Sequence, residues 1–371
     1  MGNLLILLII VCMQKITTIF VILLILASYF IFINFDRAGS QNKDEITIGL
    51  IAGLSGPFAS TGENVLKGAQ LAVEDWNTDP NNRKVRLIVE DDAFDPKKGL
   101  SAYQKLKSVN TIDGLFNMTS PTMNVLYPTI VNESLVIIQF GEQDINPSAD
   151  NVFNIGSSVP VQKSAGEYLQ QTRPNDSVIV VMNNDSTLNR FVQGFESGYG
   201  SEIKKFKMSY SEADFKSTAA QIISENPDTI VIAMIPDSAI PLINALAIYD
   251  KRPNIIFSFF SLEDYEKLGE NISYIEGAEI VSFKDGTTSS FKDSFVDRFG
   301  QKPGVYADYA YDGMRALISS YDKDENKWKK NITKLHYDGV SGIVEFDSTG
   351  TRKTEIQMQK IDAGKLVNID Y

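Results

Sequence analysis

Between Ile46 and Asp95 the chain passes through an apolar stretch, a glycine-rich loop, a helix-like segment and a second apolar stretch. Ile46-Thr-Ile-Gly-Leu-Ile-Ala52 leads into Gly53-Leu-Ser-Gly-Pro-Phe-Ala-Ser-Thr-Gly62, and Val85-Arg-Leu-Ile-Val-Glu90 ends the unit. Strand, loop, helix and strand in that span make a βαβ unit, with parallel strands and a right-handed crossover. Open parallel sheets bind ligands outside the carboxyl ends of their strands. The loop after Gly53 is therefore the first place to seek a site.

The pattern continues. Short runs rich in Ile, Val and Phe recur at 114–117, 136–140, 152–155, 177–182, 229–234, 255–259 and 278–283. They lack strict alternation, as strands buried on both faces do. Helix-like segments separate them: 63–77, 96–108, 121–132, 161–171, 188–199, 217–225, 239–249, 290–299 and 306–321. Alternation of this kind specifies an α/β fold with parallel sheets. The series restarts at Ser177, which predicts two similar lobes. The charged run Asp322–Trp328 reads as a solvated loop.

The length allows two domains and a large core. A net charge of -12 argues against a nucleic-acid partner, which would require a basic face. The single histidine, His336, and the single cysteine, Cys12, exclude zinc sites and histidine-based nucleophilic catalysis. No phosphate loop, dinucleotide fingerprint or nucleophile elbow occurs, so no cofactor and no enzymatic activity are expected.

At the N-terminus, Ile16 to Ile33 is an uncharged apolar run of 18 residues. As a helix it reaches about 27 Å, near the hydrocarbon thickness of a bilayer. No small-residue cleavage site follows it. The expectation is an uncleaved anchor that holds residues from about Gly39 on the extracytoplasmic face. A cleaved signal, with secretion, is the alternative. Cys12 follows the bulky Val11 and makes a poor lipid-attachment site. Asn-x-Ser/Thr triplets at Asn117, Asn132, Asn175, Asn184, Asn271 and Asn331 read as chance occurrences.

Two loops have helix-start chemistry. Ser60-Thr61-Gly62-Glu63 fits a capping box, and Ser120-Pro121 places a serine cap before a proline. Two helix N-termini facing one end of a sheet would favour a carboxylate or a carbonyl oxygen. Plain capping with nothing bound explains the same residues.

Three features in order carry a resemblance: the Ser55-Gly56-Pro57 loop, the helix Lys67-Gly-Ala-Gln-Leu-Ala-Val-Glu-Asp-Trp-Asn77, and the turn Asp91-Asp-Ala-Phe-Asp-Pro96. Together they resemble the solute-binding proteins of ABC transporters that take branched-chain amino acids, amides and related molecules. The resemblance spans residues 45–371. It implies the type I periplasmic binding protein fold, two Rossmann-like lobes with parallel sheets joined by a three-segment hinge. Residues 1–44 would be anchor and linker, 45–157 plus 285–353 lobe 1, and 158–284 plus 354–371 lobe 2.

The resemblance also implies a site. Ser55, Thr61 and the loop Thr119, Ser120, Thr122 would line lobe 1, with Gly141, Glu142 and Gln143 at a strand end. Thr61 stands at the family's aromatic lid position and is smaller. In lobe 2, Thr187 and Pro236 replace expected tyrosines, and Phe260 stands where an acid would grip an ammonium; Glu263 or Asp264 are the neighbouring alternatives. Phe259 and Phe260 suggest an apolar wall. The implied partners are a small-molecule ligand, the permease subunits of an ABC transporter and, through the N-terminal helix, the membrane. A membrane-tethered sensory ectodomain of the same fold is the second reading.

Overall fold

Two sheets, each covered by helices on both faces, organise the chain. The computed structural model describes residues 45–141, 149–258, 266–284 and 287–369. The first sheet contains β1 (Ile46–Ala52), β2 (Val85–Asp91), β3 (Gly114–Asn117), β4 (Val136–Phe140) and β5 (Val152–Gly156), in the order β2-β1-β3-β4-β5 and parallel throughout. Four of these strands are buried along their whole length, which is why their sequences read as continuous apolar runs. Ile48, Leu50, Phe116 and Ile138 pack on one face, and Ile51, Leu115 and Ile137 on the other.

Helices α1 (Ala59–Thr78), α2 (Pro96–Lys105) and α3 (Ser120–Ile130) are the crossovers of this sheet. After β5 the chain enters the second lobe through α4 (Val159–Thr172). There β6 (Val178–Asn183), α5 (Ser186–Tyr199), β7 (Lys204–Met208), α6 (Phe215–Ser224), β8 (Thr229–Ala233), α7 (Pro236–Leu246), β9 (Asn254–Phe257) and β10 (Glu279–Phe283) repeat the alternation. The chain then returns to the first sheet with α8 (Ser289–Phe299) and α9 (Ala307–Ser319), followed by α10 (Glu325–Ile332) and the ribbon β11 (His336–Gly339)–β12 (Gly342–Glu345). A last passage brings β13 (Ile356–Asp362) and β14 (Lys365–Ile369) onto the second sheet, whose order is β14-β13-β10-β9-β8-β6-β7.

Several expectations need correction. The second sheet is mixed, because β13 pairs antiparallel with β10 and β14 antiparallel with β13. Strand β7, Lys204-Lys-Phe-Lys-Met208, was not anticipated. It is an edge strand, and its lysines are what an edge tolerates. The expected loop at Asp322–Trp328 contains the start of α10, capped by the Asp324 side chain, with Trp328 only 3% exposed. The lone histidine lies exposed on β11, beside Glu345. Asn117 is fully buried on β3, out of reach of any glycan. The apolar N-terminal run lies outside the described residues. Among the described residues no helix is long and apolar enough to cross a membrane.

Candidate functional site

The turn after β2 holds the first loop in place. The Asp91 carboxylate accepts from the backbone N–H groups of Leu54, Ser55 and Ala93 at 2.9, 3.2 and 2.8 Å, and from the Ser55 hydroxyl at 2.6 Å. Partial burial raises the Asp91 pKa, but the Ser55 hydroxyl and these N–H groups outweigh it and leave the pKa below the usual range. Ser55 is therefore spent on loop structure and does not line the cleft between the lobes. Asp92, fully buried, accepts from the hydroxyls of Thr119 and Thr122 and from the Phe94 N–H. These two threonines support the site from behind.

The expected caps also differ. Helix α1 begins at Ala59 with Phe58 at the N-cap, so Ser60 and Thr61 lie inside the first turn. Glu63 pairs with Lys67 at 2.7 Å instead of completing a capping box. Helix α3 begins at Ser120, with Thr119 in the N-cap position and Pro121 as the second helical residue. Ser120 thus sits in the first turn at the carboxyl end of β3.

A cleft lies between the lobes. Phe58, Thr61, Phe94, Met118, Ser120, Phe140, Gly141 and Tyr306 line it from the first lobe. Ser158, Thr187, Leu188, Phe191, Met234 and Ile235 line it from the second. Four of the expected site residues, Thr61, Ser120, Gly141 and Thr187, meet there. Pro236 lies beside it, as the first residue of α7 after Ile235. Glu142, Gln143 and Phe260 lie outside the described residues, as do Phe259, Glu263 and Asp264.

A side chain at Gly141 would crowd the Ser120 hydroxyl. A Cβ there would stand 2.9 Å from the Ser120 Oγ. The sheet register shifts between Gln139 and Phe140, so β4 bends as it delivers Gly141 to the cleft. On the other side, Asp185 caps α5 by accepting from Thr187 and Leu188 N–H at 2.7 and 3.0 Å, and the Tyr210 hydroxyl donates to its other oxygen. Burial holds the Asp185 pKa up against those hydrogen bonds.

Sequence reasoning missed the aromatic wall on the first lobe. Phe58 and Phe94 pack tilted by 34° with centroids 4.2 Å apart, and Phe140 and Tyr306 pack tilted by 45° at 4.2 Å. Phe94 and Tyr306 have φ of 59° and 69°, the left-handed region that residues other than glycine rarely adopt. The signal available for Phe94 was its place behind two aspartates whose side chains fold back on the turn.

A second hollow, about 220 Å³, adjoins the strands that pass between the lobes and includes Lys284, Tyr309, Ser341 and Arg352. Its buried Arg352 donates to the carbonyls of Ser341, Gly342 and Ile343 and to the Ser341 hydroxyl. Those bonds make it framework.

Two α/β lobes, the first built on a parallel sheet and the second on a mixed one, with a cleft lined from both, define a type I periplasmic binding protein. The sequence matches the family described as periplasmic binding protein over residues 45–365, and the chain belongs to that family. A Leu/Ile/Val-binding protein homologue of Brucella abortus is 32% identical over 350 residues, covering 84% of this chain and 89% of that protein. The Leu/Ile/Val-binding protein BraC3 of Rhizobium johnstonii is 28% identical over 204 residues, half of this chain and 53% of that one. Among solved structures, an ABC transporter solute-binding protein of R. palustris in complex with benzoate has a TM-score of 0.77 at 17% identity, covering 88% of this chain and 95% of that one. A branched-chain amino acid transporter substrate-binding protein of Streptococcus pneumoniae in complex with isoleucine has a TM-score of 0.73 at 18% identity, covering 88% and 100%.

Proposed function

We propose that this chain captures a small carboxylate, amide or amino acid between its lobes, outside the cytoplasm, and delivers it to an ABC permease. The observation that carries the reading is the cleft. It lies at the carboxyl ends of both sheets and takes Thr61, Ser120 and Gly141 from one lobe and Ser158 and Thr187 from the other. In the same reading the lobes comprise 45–157 plus 285–353 and 158–284 plus 354–371, and the apolar run Ile16–Ile33 anchors the chain to the membrane. The relatives named for Leu/Ile/Val binding, and the transporter proteins of like fold, support the transport role.

A thermal-shift screen against amino acids, amides, aliphatic acids and aromatic acids tests capture. A ligand at about 100 times its dissociation constant should stabilise the native state by roughly 2.7 kcal/mol. No shift across the whole panel would remove the capture reading. N-terminal sequencing of the membrane-associated protein tests the anchor, and a start at Ala38 or later would exclude it.

A further inference from the structure

The three segments that pass between the lobes converge on one side chain. The first follows Gly156, the second follows Phe283, and the third runs from Gly350 to Ile356. All three meet the ring of Tyr309 on α9, which is buried. A Cβ at Gly156 would lie 3.3 Å from a carbon of that ring. The Phe283 ring packs on it with centroids 4.9 Å apart, and the Arg352 guanidinium lies 4.7 Å from its centroid. The second and third segments also run side by side, Lys284 N–H donating to the Glu355 carbonyl at 2.8 Å.

Asn154 joins the first segment to the third. It lies on β5, an edge strand of the first sheet, and the third segment pairs with that edge at Thr351. The Asn154 N–H donates to the Gly350 carbonyl, and the Asn154 carbonyl accepts from the Arg352 N–H, both at 2.8 Å. Its side chain serves the cleft end of the strand. The Oδ1 accepts from the Gly156 N–H at 3.0 Å, an Asx turn, and the Nδ2 donates to the Gly141 carbonyl at 2.9 Å.

The need for an amide here comes from the register. Gln139 faces Asn154 and Phe140 faces Gly156, so Ile155 is an extra residue that interrupts the ladder. An interrupted ladder leaves buried backbone groups in need of partners. The Gly156 N–H requires an acceptor and the Gly141 carbonyl requires a donor. A carboxamide carries both on one short side chain. Asn154 is 1% exposed, so water has little access to either bond.

Resting on the reading of the lobes as the jaws of a capture site, we propose that Asn154 is a positioning residue that couples the cleft to the crossing segments. It fixes Gly141, which lines the cleft beside Ser120, to the first and third of those segments. The cleft floor and the two segments then turn as one body about Tyr309. A ligand that bears on Gly141 thereby bears on the segments that must rotate.

Pulsed electron spin resonance between labels at Lys97→Cys on α2 and Lys216→Cys on α6 reads the separation of the lobes in the full-length chain. Both lysines are exposed, and Cys12→Ser removes the one native thiol. No ligand is added. Asn154→Ser can still accept from the Gly156 N–H but is too short to reach Gly141, and Asn154→Ala does neither. Both should broaden the distribution of distances relative to wild type, and Asn154→Ser, the milder change, keeps the test if Asn154→Ala does not fold. Asn151→Ala is the control. It removes an equally buried amide beyond the amino end of β5, one that donates to the carbonyls of Ile130, Glu133 and Leu135. It should lower the melting temperature and leave the distribution as narrow as wild type. Wild-type width in the Asn154 variants, whatever their melting temperatures, would overturn the coupling. Equal broadening in Asn151→Ala would overturn it too, because any loosening of the first lobe would then have that effect. Broadened Asn154 variants beside a ligand screen without hits would remove capture and leave the coupling of the segments standing.

Discussion

Ser120 and Gly141 touch across the cleft floor, and each has a separable effect. Ser120→Ala leaves Thr119 in the N-cap position of α3 and should weaken binding. Loss of one hydrogen bond to a charged ligand group costs about 1.5–3 kcal/mol, which is tenfold or more in dissociation constant. Gly141→Val should weaken binding further, since its Cβ meets the Ser120 Oγ at 2.9 Å and forces that hydroxyl to move. Calorimetry on the folded variants measures both, and wild-type affinity in the two together would place the ligand elsewhere. Asp91 provides a pH test. Its folded pKa is lowered, so its contribution is present above the unfolded carboxylate pKa of about 3.9 and is lost as pH falls through the folded value. Asp91→Asn should therefore melt below wild type at pH 7, and the gap should close as the pH falls through the lowered folded value. A gap independent of pH would show that the carboxylate charge does not hold the loop.

At the scale of elements, α10 illustrates how charge conceals burial. Seven residues from Asp322 to Trp328 include five that are charged, yet the helix they open lays Trp328 against Tyr321 and donates its indole N–H to the Leu317 carbonyl at 3.0 Å. Trp328→Ala should cost about 3–5 kcal/mol, the range for removing a large buried aromatic, and chemical denaturation measures it. A loss under 1 kcal/mol would mean that α10 is not part of the first-lobe core. Helix α1 meets α9 so closely that a Cβ at Gly68 would lie 1.9 Å from the Ala307 carbonyl oxygen. Gly68→Ala should destabilise by about 1–3 kcal/mol through overpacking, despite alanine's better helix propensity. A gain in stability would show that the two helices separate at no cost.

At the scale of the whole molecule, closure brings an aromatic contact across the cleft. Phe58 of the first lobe meets Tyr210 of the second edge-on, with centroids 6.3 Å apart, and Tyr210 is tied through Asp185 to the start of α5. The chain passes between the lobes after Gly156, after Phe283 and before Ile356, so rotation is confined to three segments. Small-angle scattering should show a smaller radius of gyration under saturating ligand. Phe58→Ala should shift the bound population back towards the open form. Identical profiles with and without ligand would count against rotation at these segments.

The sequence by itself determined the alternation of elements and the parallel first sheet, because buried strands must be apolar and crossovers must be helical. Strands β1, β3 and β4 were legible to the residue, since short apolar runs between helix-like segments fit strands buried on both faces. Ser120, Gly141, Thr61 and Thr187 were named from the family resemblance, and all four line the cleft. The tertiary structure decided what surrounds them. Ser55, Thr119 and Thr122 turned out to be bound by Asp91 and Asp92, an outcome that depends on how a turn 36 residues away along the chain folds back on the loop. The aromatic wall was unreadable for the same reason. Phe58, Phe94, Phe140 and Tyr306 lie in four separate segments and have no common periodicity. Only the packing of two sheets around one cleft brings their rings together.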